Sequence, residues 1–81
     1  MKQLKVYWGT NNITIVEPSG KIHQSDKNTV DGTNLIDLMF MKKYVGQVID
    51  LHMTDRGTVP INTVLTAVGI QDCGVHYFEV T

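Results

Sequence analysis

Cysteine is almost missing from this chain. Cys73 stands alone among 81 residues, so no disulfide can form within the chain, and the lack of a paired framework points to a reducing compartment. Long apolar runs are missing too. The N-terminal MKQLKVYWGTNN lacks the apolar centre of a signal peptide, and no stretch approaches the roughly 18 apolar residues of a membrane span. The expectation is a cytoplasmic protein without membrane contact. Charge of one sign is also scarce: seven basic residues stand against eight acidic ones, for a net charge of −1. The lysines are scattered and Arg56 is the only arginine, which is not the clustered cationic footprint of a duplex-DNA binder. The acidic surplus of a DNA mimic is equally absent. The seven glycines fall singly, at turns and helix ends, so no glycine-rich loop is available to cradle a phosphate.

What remains is a chain built to fold. Hydrophobic residues make up 42%, no segment is of low complexity, and disorder is excluded on that balance. The length allows one domain, 1–81. A domain near this size buries only about 60 to 65% of its unfolded surface, so association with another chain would help to stabilise it.

Several segments alternate with the period of a half-buried strand. In residues 2–8, KQLKVYW, Leu4, Val6 and Trp8 fall on one face and Lys5 and Tyr7 on the other. GTNN at 9–12 then offers residues that tolerate the positive φ of a tight hairpin. NITIV follows, with Ile13 and Ile15 inward, and Glu17-Pro18-Ser19-Gly20 closes a second turn. Lys21 to Gln24 pairs back as a short strand, with Ile22 placed in the core and Lys21 and His23 on the outer face. Ser25 to Gly32 reads as loop. Further on, Ile49, Leu51 and Met53 alternate with Val48, Asp50 and His52, and GVHYFEVT at 74–81 has strand composition.

Two segments read as helices. Asn34 to Val45 carries eight apolar residues out of twelve, and at 100° per residue they leave no wide polar face. Thr33 or Asn34 can cap its start, Asp37 suits the positive end of its dipole, Lys42 and Lys43 suit the other end, and Gly46 can stop it. In the second, Ile61, Val64, Leu65 and Val68 match the i, i+3, i+4, i+7 template after Pro60, with Gly69-Ile70 as a stop. The alternative there is a strand from 58 to 65, because β-branched residues weaken the helix. The resulting expectation is an α+β fold: a mostly antiparallel sheet of four to five strands with two helices packed on one face, in the order β-β-β-α-β-α-β.

No motif names a reaction. Cys73 and His76 have a C-x-x-H spacing, but a zinc site needs three or four ligands and no companion pair is present. Asp72 beside Cys73 raises a thiol pKa rather than lowering it, which argues against a nucleophilic cysteine. Asp50 and His52 share one strand face and are explained more simply as solvated polar residues. No catalytic residue, metal or cofactor is expected.

The strongest signal is the apolar segment at 34–45. Two helices and a few short strands cover one face of a helix well but hardly two, and a large uncovered apolar patch marks a binding site. Methionines and rings together suit adaptable contact surfaces. The leading expectation is therefore a small non-enzymatic interaction protein that dimerises or docks on a protein partner through Ile36, Met39, Phe40, Met41, Lys43 and Tyr44. Its size fits an accessory or inhibitor protein of the kind carried by phages or mobile elements. The alternative is a single-stranded nucleic-acid binder using Lys5, Tyr7, Lys21 and His23 on the outer sheet face, where lysines would surround a stacking ring.

Overall fold

The computed structural model describes residues 3–9, 12–25, 36–54, 57, 61–72 and 74–81. The expected caps Thr33 and Asn34, as well as Leu35, Arg56, Pro60 and Cys73, lie outside the described residues. The described elements are six strands, β1 (Lys5–Trp8), β2 (Ile13–Val16), β3 (Ile22–Ser25), β4 (Val48–Met53), β5 (Ile61–Ile70) and β6 (His76–Val80), with one 3-10 helix, Met39–Tyr44, between β3 and β4. They form one mixed sheet in the order β3-β2-β1-β4-β5-β6. All pairings are antiparallel except β1 with β4. The α+β expectation of two helices on a sheet is thus overturned: both helical segments have other structures.

The first takes a 3-10 form because its apolar residues are used one at a time. In a 3-10 helix, side chains three apart eclipse one another. Leu38 and Met41 are fully buried and Tyr44 is half-buried, so this one row faces the sheet. The Asp37 carboxylate accepts the Met39 amide at 2.9 Å, and the Leu38 carbonyl accepts the Met41 amide at 2.9 Å, which tightens the entry. Gly46, at φ +91°, turns the chain out of it, and its amide donates to the Leu65 carbonyl at 2.7 Å.

The second expected helix is the C-terminal hairpin's longest strand. Its periodicity misleads because of a β-bulge between Leu65 and Ala67. Thr63 and Leu65 point inward with period two; the extra residue then shifts parity, so Val68 joins the core three positions on. A bulged strand therefore imitated part of a helical repeat. The β-branched Ile61, Thr63, Val64, Thr66 and Val68 favour the extended form.

Seven residues of the inward sets, Leu4, Val6, Ile13, Ile15, Ile49, Leu51 and Leu65, form the core with Leu38 and Met41. The third strand has the opposite phase to that expected. His23 pairs with the inward Ile15, whereas Ile22 pairs with Val16 and is 61% exposed. Gly20, at φ +98°, adds a residue to the turn: its amide donates to the Glu17 carbonyl at 2.8 Å, and Glu17 then pairs with Lys21. The sheet is strongly curled. A flat sheet would separate β1 from β6 by about 14 Å, yet Trp8 and Phe78 touch. Among the described residues, no helix is long and apolar enough to cross a membrane.

Candidate functional site

Two places on the molecule combine chemistry with shape. The first is a polar hub where β2 runs into its turn. Glu17 continues the inward parity of Ile13 and Ile15, so its carboxylate enters the core edge and is only 5% exposed. It is satisfied from three directions. His23 Nε2 donates to Oε2 at 2.6 Å, the Tyr44 hydroxyl donates to Oε1 at 2.8 Å, and Lys43 Nζ lies 2.8 Å from the same oxygen. His23 stacks on Phe40 with centroids 3.6 Å apart and planes 7° from parallel.

The hydrogen bonds from His23 and Lys43 outweigh burial and hold the Glu17 carboxyl at about 2, below its ordinary 4.5. Reciprocally, the Glu17 carboxylate raises the Lys43 pKa, and burial, aided by Glu17, raises that of Tyr44. The hub pins the 3-10 segment to β2 and β3. Such a carboxylate stays ionised and fully engaged, so its chemistry is that of an anchor.

The second place is an apolar cleft of about 310 Å³ lined by Trp8, Leu51, Met53, Phe78 and Val80, with His76 and Tyr77 also on its wall. It lies under the curl that brings Phe78 edge-on to Trp8, at 4.9 Å between centroids and 75° between planes. The Leu38 amide donates to His76 Nδ1 at 3.2 Å, and the Asp37 carboxylate lies 3.5 Å from the same nitrogen.

The cleft adjoins a sheet edge. Among the described residues, no strand pairs with β6 on the side away from β5. The Gln71 amide donates to the Val75 carbonyl and the Thr81 amide to the Val64 carbonyl. Antiparallel alternation between those bonds directs Tyr77 and Glu79 toward β5 and turns the backbone groups of His76, Phe78 and Val80 outward. These three residues also line the cleft.

The expected contact residues are redistributed by the fold. Met41 is wholly enclosed, and Ile36, Phe40 and Tyr44 are half-buried against the core. Met39 is half-buried, and Lys43, 62% exposed, is held by Glu17. The other set is divided. Lys5 and Tyr7 lie on the outer face, while His23 faces inward, so the four do not form one platform. Lys21 is exposed at the end of β3.

On the outer face, Tyr7 stacks on His52 at 4.5 Å, and His52 Nε2 lies 3.2 Å from Asp50 Oδ1. Among the described residues, no three His, Cys, Asp or Glu side chains gather to hold a metal.

Sequence reasoning missed Glu17 and the cleft. Parity carried one step past Ile15 would have marked Glu17 as inward. The cleft depends on the curl of the sheet, which brings together residues far apart in sequence. Set against family models, curated proteins and solved structures, the chain matches none of them.

Proposed function

We propose that this domain is a protein-binding module that receives an extended segment of a partner along β6. The observation that carries this reading is the coincidence, among the described residues, of an unpaired strand edge with an apolar cleft on the same side. Strand addition supplies main-chain hydrogen bonds, while a pocket beside the edge selects every second side chain. Here the outward backbone groups belong to His76, Phe78 and Val80, and the same residues line the cleft. At about 310 Å³, the cleft has room for one large side chain. The binding surface is thus the C-terminal hairpin, and the apolar segment at 36–44 supports it from within.

Selection from a library of displayed extended peptides, followed by amide-shift mapping, tests the proposal. The selected peptides are expected to share a large apolar residue and to shift the amides of His76, Phe78 and Val80. They should also change the fluorescence of Trp8, the only tryptophan. Binders that shift only β2, β3 or the outer face would contradict it.

A further inference from the structure

We infer that the segment received by β6 is the β3 edge of a second copy of this chain, joined head to tail. The inference rests on the reading of β6 as a strand-receiving edge. β3 and β6 end the sheet on opposite sides, and their backbone patterns are complementary. In the turn that leads into β3, the Glu17 amide donates to the Lys21 carbonyl. Alternation from that bond turns His23 toward β2 and directs the backbone groups of Ile22 and Gln24 outward.

In an antiparallel junction, residues whose backbone groups face each other sit directly opposite, with side chains on the same face. Ile22 of one copy must then lie on the same side as His76, Phe78 and Val80 of the other, over the apolar cleft. Among the described residues, Ile22 is the most exposed large apolar side chain, at 61%.

Charge chooses the register. Setting Ile22 opposite Phe78 also sets Lys21 opposite Glu79 and Gln24 opposite His76. Lys21 and Glu79 are both exposed, and an opposite-charge cross-strand pair stabilises such a ladder. Shifting Ile22 to face Val80 would forfeit that pair. The hairpin that carries the cleft bears only acidic charge, Asp72 and Glu79, along residues 61–81. The two contacting surfaces differ, so each copy keeps one edge open, and assembly proceeds to a ring or a filament rather than stopping at a symmetric dimer.

Sedimentation velocity over a range of concentrations, with the full chain and two charge reversals, tests this. The wild type is expected to grow with concentration beyond twice its 9.1 kDa mass. Glu79→Lys alone and Lys21→Glu alone should each remain monomeric with unchanged circular dichroism, since both side chains are exposed. An equimolar mixture should associate again, because each variant then offers the charge that the other lacks. A wild type that stays monomeric, or a dimer that persists in both variants, overturns the inference. Peptides that still bind at β6 in that case would leave the strand-receiving reading intact; their absence would remove both.

Discussion

Trp8 and Phe78 meet edge to face at 4.9 Å although two strands lie between theirs in the sheet. Beside the strand of Phe78, the bulge at Leu65–Ala67 adds local twist, and the curl of the sheet makes the contact possible. It both closes the fold and forms the cleft. Phe78→Ala should therefore lower unfolding stability by about 2 to 3 kcal/mol, below the range for a fully buried ring because Phe78 is half-buried. Urea titration read by Trp8 emission measures it, and the folded-state emission should shift to longer wavelength. An unchanged folded-state spectrum would mean that the two rings do not define the cleft.

Met41 separates core from interface. It is fully buried beneath the 3-10 helix, so Met41→Ala should cost about 2 to 4 kcal/mol of stability. Where the variant remains folded, it should bind β6-directed peptides as the wild type does. Loss of binding without loss of stability would return the contact surface to the segment at 36–44.

Glu17 sets an acid limit. Its carboxyl titrates near 4.5 in its ordinary state and about 2 in the fold, so its stabilising effect is complete above pH 4.5 and is lost as pH falls toward 2. Denaturation midpoints measured across that window should decline in the wild type. In Glu17→Gln, which lacks the titrating group, the decline should be shallower and stability at neutral pH lower. An identical slope in both would show that the hub does not tie the ionised carboxylate to folding.

Gly69 and Tyr77 form the fourth test. A Cβ at Gly69 would lie 2.8 Å from the Tyr77 hydroxyl and 2.9 Å from two ring carbons. The tyrosine ring thus lies across the glycine opposite it on β5. Gly69→Ala should destabilise by about 1 kcal/mol, the lower end of overpacking costs, since the ring can swing aside. Adding Tyr77→Ser should make the Gly69→Ala step neutral in a double-mutant cycle; additive losses would contradict the contact.

The inward faces of β1, β2 and β4 were legible in the sequence because their alternation is uninterrupted. The errors arose where one extra residue changes parity. Gly20 does this before β3 and reverses the expected places of Ile22 and His23; the bulge does it within β5 and imitates a helix. The tripeptide Ile-Asp-Leu makes the point at smaller scale. At Ile49–Leu51 it is strand, whereas at Ile36–Leu38 it leads into the 3-10 helix. Local pattern cannot decide between them: Asp50 lies within a paired strand, while Asp37 caps the Met39 amide. The cleft was illegible for a related reason. Trp8 and Phe78 lie seventy positions apart, and only the curl brings them together.

Amide hydrogen exchange along the last strand, recorded dilute and then with a β6-directed peptide, tests the central claim most directly. In the dilute protein, the amides of Tyr77 and Glu79 should be protected and those of His76, Phe78 and Val80 should exchange rapidly; the peptide should slow the latter three. Uniform protection of all five before any peptide is added would contradict the account.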